Sequence, residues 1–311
     1  MADDRQPLIV ILGPTAVGKT SLSIELARRL NGEIVSADSR LVYRGMDIGT
    51  AKPNLAAREA VPHHLIDVAD PDESWNLALF QRKAIEAMRA IHDLQKMPLL
   101  VGGTGQYIRA ITDGWIIPEL APDDVMRTVL ENWGKEISAL GLHTRLAMLD
   151  PQAAGSIDPR NVRRTVRALE VILRTGKRFS DQRRQTDSPF KCYQIGLMRP
   201  RPELYARIDQ RIDRMLADGF VEEVRALLEQ GYHRDLPSMT AIGYAQIAAY
   251  LEDEISLADA VVEVKRLTRQ FVRRQANWFK MDDPAINWFD MVPQTVDVIE
   301  TAVRSFNTRV L

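Results

Sequence analysis

Apolar runs and amphipathic stretches alternate along the first part of the chain. Residues 8–12 are all apolar, which predicts a strand buried on both faces. Shorter runs predict further strands at 33–36, 64–68 and 99–101, and residues 76–95 show the periodicity of a long helix. Such alternation predicts a parallel sheet covered by helices.

The pattern changes near residue 118. From there to about residue 185 it is helical throughout, which predicts a helical insertion. A strand-like run at 192–198 then returns to the sheet. Four helical segments are expected to finish the chain, at 202–216, 221–229, 241–251 and 257–280. We therefore predict an α/β core domain built from residues 1–117 and 186–311, interrupted by an insertion domain at 118–185.

The segment after the first strand has the spacing of a phosphate-binding loop, Gly-x-x-x-x-Gly-Lys-Thr. Its glycines let backbone N–H groups point at phosphate oxygens, and the next helix adds positive charge at its N-terminus. Lys19 supplies a point charge, and the Thr20 hydroxyl suits Mg²⁺. The predicted ligand-binding residues are Gly13, Pro14, Thr15, Ala16, Val17, Gly18, Lys19 and Thr20. The loop predicts a P-loop NTPase-like fold that binds a di- or triphosphate, of which ATP is one example.

Polar residues also follow the other predicted strands. Asp38 comes directly after the second strand, where it is suited to bind Mg²⁺, to activate a nucleophile or to cap the next segment. Asp67 is an alternative metal ligand. Thr104 offers a hydroxyl inside a glycine-rich turn. Because ligands bind at the carboxyl ends of parallel strands, we expect the phosphate loop, Asp38 and the Thr104 turn to line one crevice.

Composition excludes several classes of protein. The chain has 311 residues, of which 45% are hydrophobic and 27% charged, as in ordinary globular proteins. Its net charge of −1 argues against binding polyanions over the whole surface. A single cysteine, Cys192, allows neither an internal disulfide nor a cysteine-based zinc site. We find no membrane-spanning run and no signal-peptide pattern at the N-terminus, and therefore expect a cytoplasmic protein.

Arginine is nevertheless concentrated in two stripes. Residues 160–184 carry nine basic residues against Glu170 and Asp181. On a helix, Arg163, Arg167 and Arg174 align on one face, opposite an apolar face of Val162, Val166, Leu169 and Leu173. The 261–280 helix repeats the arrangement, with Arg266, Arg269 and Arg273 opposite Val264, Leu267, Phe271 and Trp278. A charge run is usually a solvated face, but two arginine stripes beside a phosphate loop favour nucleic acid binding.

Several further segments add a resemblance. They are Ser-Ala-Asp-Ser at 36–39, Val-Tyr-Arg-Gly-Met-Asp-Ile-Gly-Thr-Ala-Lys-Pro at 42–53, Pro-His-His-Leu-Ile-Asp at 62–67, Val-Gly-Gly-Thr-Gly at 101–105, Arg-Ala-Leu-Glu-Val at 167–171, Thr-Gly-Lys at 175–177, Ala-Ile-Gly-Tyr at 241–244 and Thr-Arg-Gln at 268–270. With the phosphate loop they run in order over nearly the whole chain. The sequence resembles the bacterial tRNA dimethylallyltransferases, and the 46–53 run is more specific than the phosphate loop.

This resemblance implies transfer of a dimethylallyl group from dimethylallyl diphosphate to N6 of the adenine 3′ to the anticodon, with release of diphosphate. It implies Mg²⁺ as the cofactor, Asp38 as the general base and Thr104 as a second catalytic residue. The insertion would then grip the anticodon stem-loop, and we expect a monomer. The implied tRNA-binding residues are Asp38, Ser39, Arg40, Leu41, Thr104, Arg127, Arg163, Arg164, Thr165, Val166 and Arg167. Leu41 and Gln106 depart from the glutamine and leucine that are common in the family.

Other functions share the phosphate loop. A nucleotide or small-molecule kinase would use Asp38 as a base or metal ligand, although the insertion carries more positive charge than a kinase lid needs. A non-catalytic ATP-dependent RNA-binding switch also fits, but the 99–103 segment lacks the terminal aspartate of a Walker B strand. The absence of an Asn-Lys-x-Asp sequence argues against a guanine-specific GTPase.

Overall fold

The computed structural model describes residues 5–118, 120, 122–182 and 186–308. In chain order the elements are β1 (Pro7–Leu12), α1 (Lys19–Arg29), β2 (Gly32–Ala37), α2 (Leu55–Ala60), β3 (His63–His64), α3 (Leu77–Asp93), β4 (Met97–Gly102), α4 (Gly105–Thr112), α5 (Asp124–Leu149), α6 (Pro151–Ser156), α7 (Val162–Thr175), α8 (Phe179–Gln182), β5 (Lys191–Met198), α9 (Arg201–Ala217), α10 (Phe220–Glu229), α11 (Tyr244–Leu251), α12 (Leu257–Ala276), β6 (Ile286–Asp290) and α13 (Thr295–Thr308).

The six strands form one parallel sheet in the order β3-β2-β4-β1-β5-β6. β1 lies between β4 and β5, with Ile9 opposite both Leu99 and Tyr193. Its side chains alternate between two cores: Ile9 packs with residues of α1, α9 and α12, whereas Val10 packs with residues of α3 and α4. Helices therefore cover both faces, which confirms the predicted fold class and explains why β1 is apolar at every position.

The carboxyl ends of β1, β2 and β4 lie side by side. They lead directly into the phosphate loop, Asp38 and the Thr104 turn, respectively. The arrangement follows from parallel pairing, because adjacent strands that run the same way end at the same edge of the sheet. Sequence spacing alone was therefore sufficient to predict that these three segments meet.

Several elements differ from the sequence prediction. β3 is limited to His63–His64 because Leu65 and Asp67 have positive φ angles (62° and 56°), which end the extended run predicted at 64–68. α11 begins at Tyr244 rather than 241, after Gly243 with φ 101°. The expectation that four helices finish the chain is wrong, since β6 and α13 follow them. β6 is a short edge strand with only one buried residue, so its hydrophobic signal is weak.

The chain divides into two compact units, here called the core unit (Met1–Thr112 with Ser188–Leu311) and the helical unit (Asp113–Asp187). The predicted insertion at 118–185 falls inside the helical unit, which contains α5 to α8. Its own core includes Leu130, Leu142, Leu146, Val166 and Leu169. Arg183 and Arg184 of the first arginine stripe lie outside the described residues. Among the described helices, none combines the length and apolar composition needed to cross a bilayer.

Candidate functional site

The phosphate loop depends on its two glycines. Gly13 has φ 147°, and a Cβ there would lie 2.7 Å from the carbonyl oxygen of Leu197. Gly18 has φ 117° and is the N-cap of α1, where it offers no side chain to cap the helix. The close approach to Leu197 and the left-handed backbone exclude any other residue without strain. The N-terminus of α1 therefore stays available to an anion.

Lys19 lies across this loop. Its Nζ donates to the carbonyl oxygens of Gly13 (3.0 Å) and Pro14 (2.8 Å). Burial lowers the pKa of Lys19 to about 8; the charge of Asp38 opposes that shift, and that of Arg211 adds to it. A bound diphosphate would place negative charge next to the Lys19 ammonium group and so favour its protonated form.

Arginines that follow β5 and lie on α9 surround the loop. Arg199 Nε donates to the carbonyl of Val17 and Arg207 Nε to that of Ala16, both at 2.9 Å. Arg211 donates to the Thr15 hydroxyl at 3.4 Å, and burial lowers its pKa although Asp38 opposes the shift. Sequence reasoning missed this set. Its signal was the spacing of Arg207, Arg211 and Arg214, which places three guanidinium groups on one face of α9.

Two cavities meet at these residues. The first, here called the phosphate cavity, has a volume of about 810 Å³ and is lined by the phosphate loop, Asp38, Leu41 and the α9 arginines. The second, here called the apolar cavity, has a volume of about 540 Å³. Its apolar walls include Ile208, Ile212, Met215, Phe220, Tyr244 and Phe271. Thr15, Asp38, Thr50 and Arg211 line both cavities. The arrangement suits a ligand with a charged end and an apolar end.

Asp38 stands at the junction of the cavities. Its Oδ1 accepts the backbone N–H of Arg40 at 2.9 Å, so the predicted capping role is real. The Thr104 Oγ1 accepts the N–H of Ser39 at 3.2 Å, which ties together the turns that follow β2 and β4. Asp38, Ser39, Arg40 and Thr104 all line the apolar cavity, which confirms the predicted crevice. Their catalytic and RNA-binding roles stay predictions.

Asp67 has a different function. It accepts hydrogen bonds from Lys52 Nζ (2.5 Å) and Arg58 (2.7 Å), and it lines neither cavity. Burial raises its pKa, but the bonds from Lys52 and Arg58 bring that pKa below its usual value. The Lys52 side chain is only 2% exposed. Asp67 therefore anchors the 42–53 segment, and its alternative role as a metal ligand stays a prediction.

The specific 46–53 run is held by a residue that sequence reasoning missed, Glu223 of α10. Its carboxylate accepts the backbone N–H groups of Asp47 (2.9 Å), Ile48 (2.7 Å) and Gly49 (3.1 Å). Gly49 is required because a Cβ there would lie 2.2 Å from the Phe220 ring. This anchoring places the next residue, Thr50, in the walls of both cavities.

Oxygen donors in the phosphate cavity fit Mg²⁺. The Thr20 hydroxyl and the Asp38 carboxylate line the cavity with Ser36, whose buried Oγ has no hydrogen-bond partner. Such neutral and anionic oxygens suit a hard cation that keeps much of its coordination for phosphate and water. Within the described part of the chain, no cluster of three His, Cys, Asp or Glu residues is placed to hold a metal.

In the helical unit the predicted RNA-binding residues are of three kinds: exposed arginines, arginines paired with a buried carboxylate, and buried residues. Arg163 and Arg164 are exposed. Arg127 (3.0 Å) and Arg167 (2.8 Å) are instead paired with Glu170, whose side chain is 0% exposed. Burial raises the Glu170 pKa, but hydrogen bonds from Arg167, the Asp123 N–H and Arg127 bring that pKa below its usual value.

The other two predicted contacts need correction. Thr165 and Val166 are buried and pack inside the helical unit, so their side chains are not available to tRNA. The helical spacing places these residues on the inner side of α7, directly before the paired Arg167. Leu173, predicted to be buried, is 56% exposed instead, because α7 ends two residues later.

The second arginine stripe is partly neutralised. Arg269 donates to Asp209 at 2.5 Å, and Lys265 lies 2.6 Å from Asp213; both acids belong to α9. Arg266 pairs with Glu263 of its own helix. Trp278, which the helical spacing puts on the apolar face of this helix, is 41% exposed. The acids of α9 are distant in sequence, so the local run could not reveal these pairs.

Comparison with known proteins agrees with this geometry. The family model described as IPP transferase matches residues 41–282. A tRNA dimethylallyltransferase of Roseiflexus sp. (strain RS-1) is 53% identical over 274 residues, 88% of this chain and 90% of the relative. That of Geobacter sulfurreducens is 45% identical over 308 residues, 98% of each chain.

Solved structures give the same result. The tRNA isopentenylpyrophosphate transferase of Bacillus halodurans has a TM-score of 0.73 at 39% identity, covering 98% of each chain. A eukaryotic dimethylallyltransferase acting on tRNA has a TM-score of 0.76 at 28% identity, covering 97% of this chain and 78% of its own. From its sequence, its parallel sheet and the phosphate loop at the sheet edge, the chain belongs to the IPP transferase family, which includes the tRNA dimethylallyltransferases.

Proposed function

We propose that this protein transfers a dimethylallyl group from dimethylallyl diphosphate to N6 of the adenine 3′ to the anticodon in tRNA, and releases diphosphate. The observation that carries the proposal is the meeting of the phosphate loop, Arg211 and Asp38 at the junction of a phosphate cavity and an apolar cavity. The charged cavity suits the diphosphate, and the apolar cavity suits the prenyl group and a base withdrawn from the RNA loop.

The positive groups around the phosphate loop act on the leaving group. The carbon–oxygen bond of the allylic diphosphate breaks, and diphosphate departs with the electron pair. Lys19, Arg211 and the loop N–H groups stabilise the negative charge that develops there. The Thr20 hydroxyl would hold Mg²⁺, which would further neutralise the charge on the leaving diphosphate.

Asp38 acts on the acceptor. As its carbon–oxygen bond breaks, the allylic carbon becomes electron-poor, and the weakly nucleophilic N6 amine attacks it. The nitrogen then carries an extra proton, which the Asp38 carboxylate accepts. Its bond from the Arg40 N–H fixes the side chain at the junction of the two cavities, and the adjacent Thr104 hydroxyl holds the neighbouring turn in place.

Binding of tRNA is assigned to the helical unit and to the residues that line the apolar cavity. The exposed Arg163 and Arg164 suit phosphates of the anticodon stem-loop, since guanidinium groups bind phosphate in bidentate geometry. Ser39, Arg40 and Leu41 lie next to Asp38 and suit the target nucleotide. We further propose that the protein acts as a monomer in the cytoplasm.

One incubation tests the function. Purified protein is mixed with Mg²⁺, dimethylallyl diphosphate and tRNA that lacks the modification, and the tRNA is digested and analysed by mass spectrometry. A five-carbon group on the adenine 3′ to the anticodon supports the proposal. ATP turnover without that product would instead favour the kinase alternative.

A further inference from the structure

A buried amide connects the two halves of this site. Gln275 of α12 is 5% exposed, and nothing in the helical pattern of its neighbours explains a polar residue there. Its Oε1 accepts the backbone N–H of Thr15 at 2.9 Å, and its Nε2 donates to the carbonyl oxygen of Gly103 at 3.0 Å. Both polar atoms are therefore satisfied by main-chain groups of two different turns.

The two turns carry the two halves of the proposed reaction. Thr15 belongs to the phosphate loop after β1, and Gly103 precedes Thr104 in the turn after β4. The paired register of β1 and β4 ends at Leu12 and Gly102. Gln275 bridges the two segments just beyond that point, where the hydrogen bonds of the sheet no longer hold them at a fixed separation.

Glutamine is suited to this position in a way that other residues are not. One end of the gap is an N–H donor and the other is a carbonyl acceptor, so the bridge needs one acceptor and one donor. Glutamate would lack the donor, and methionine, of similar length, would lack the donor and offer only a weakly accepting sulfur. The approach is close: a Cβ on Gly103 would lie 2.3 Å from the Gln275 amide nitrogen. The absence of a side chain on Gly103 therefore leaves the space that the Gln275 amide occupies.

We propose that Gln275 is a positioning residue that sets the separation between the phosphate loop and the Thr104 turn, and so holds the allylic carbon within reach of the acceptor amine. The inference rests on the transfer reaction proposed above. A displacement of about 1 Å between reacting groups is sufficient to slow a reaction roughly 10²-fold. The separation of the two turns therefore matters more than the strength of either hydrogen bond.

Loss of the bridge has a specific chemical consequence. Lys19 keeps its bonds to the carbonyl oxygens of Gly13 and Pro14, so we expect diphosphate binding to persist. The carbon–oxygen bond still breaks, but the misplaced amine competes less well with water. A water oxygen then bonds to the allylic carbon and loses a proton, which yields dimethylallyl alcohol and diphosphate. The ratio of diphosphate released to adenine prenylated therefore rises above one.

The experiment compares Gln275→Met, which keeps the side-chain length but loses both hydrogen bonds, with Gln275→Ala. Gln230→Ala is the matched control, because Gln230 is exposed at the end of α10 and lines neither cavity. We expect kcat to fall roughly 10- to 100-fold in both Gln275 variants, with the KM for dimethylallyl diphosphate within about threefold of wild type. The release ratio should rise severalfold in both and stay near one in the control.

The release ratio does not depend on how much of a variant is folded, so it stays informative if Gln275→Ala is unstable. A Gln275→Met variant with wild-type kcat and a ratio of one would overturn the inference, since the side chain would then act by packing alone. Reduced kcat with an unchanged ratio would overturn it as well. The wild-type arm separates the two proposals: wild-type protein that prenylates no tRNA refutes the proposed function itself.

Discussion

Arginine side chains of the helical unit fall into two groups, and their substitution should have two different effects. Arg163 and Arg164 are exposed, whereas Arg167 is hydrogen-bonded to the buried carboxylate of Glu170. We expect the double substitution Arg163→Ala with Arg164→Ala to weaken tRNA binding without affecting folding. We expect the main effect of Arg167→Ala to be a lower stability of the helical unit.

The magnitudes follow from the contacts. Each phosphate contact contributes about 0.7 to 0.9 to the slope of log K against log salt, so loss of both exposed arginines should lower that slope by roughly 1.4 to 1.8. Exposed substitutions usually change stability by less than about 0.5 kcal/mol. Arg167→Ala removes one charge-assisted bond to Glu170, which costs about 1.5–3 kcal/mol. Arg127 and the Asp123 N–H still hold Glu170, so the loss should not exceed that range.

The assay is tRNA affinity over a salt series, with urea unfolding of each variant measured in parallel. Glu170→Gln serves as the matched control for Arg167→Ala, because it weakens the same pair from its other end and removes no basic side chain. A folded double variant whose salt slope equals that of wild type would refute the reasoning, and Arg163 and Arg164 would then form only a solvated face. Wild-type stability in Arg167→Ala would refute the structural role of its pair with Glu170.

The core unit offers three further predictions. Asp38→Asn should lower the transfer rate roughly 10²- to 10⁴-fold in single-turnover assays, the range for a positioned general base, while tRNA affinity stays within twofold; a loss of only a few-fold would remove Asp38 from that role. Lys19→Ala should raise the KM for dimethylallyl diphosphate. In the wild type, binding should weaken as pH rises through about 8, because the ammonium group of the free protein then loses its proton, and this pH dependence should be absent from the variant. Thr20→Ala should shift the Mg²⁺ titration of transfer to higher concentration, whereas Ser305→Ala, exposed on α13 and outside both cavities, should leave it unchanged.

Local pattern was sufficient for much of the fold because its signals lie within a few residues. The apolar run of β1 and the glycine spacing of the phosphate loop are both local. Parallel pairing then determined that Asp38 and Thr104 reach the same edge of the sheet. Where the structure departs from the pattern, the cause is also local but invisible in hydrophobicity: positive φ angles at Leu65 and Asp67 end β3 after two residues.

Pairing between distant segments was not predictable in the same way. Glu170 lies three residues after Arg167, so helical spacing could predict that pair. Arg127, the other partner of Glu170, is 43 residues away. The acids that neutralise Lys265 and Arg269 come from α9, more than 50 residues earlier. A stripe of basic residues therefore overstates the free positive charge, since the sequence shows the cations together and their partners apart.

Two of the polar residues missed from the sequence, Glu223 and Gln275, share one property that explains the failure. Glu223 and Gln275 both bond to backbone N–H or carbonyl groups, which every residue carries, so their partners have no signature in the sequence. Gln275 also lies in a helix whose other buried residues are apolar, so a single buried polar residue there gives no clear signal. Burying an amide or a carboxylate without partners is costly. In this chain, Glu223 and Gln275 each hold a turn in place through its backbone groups.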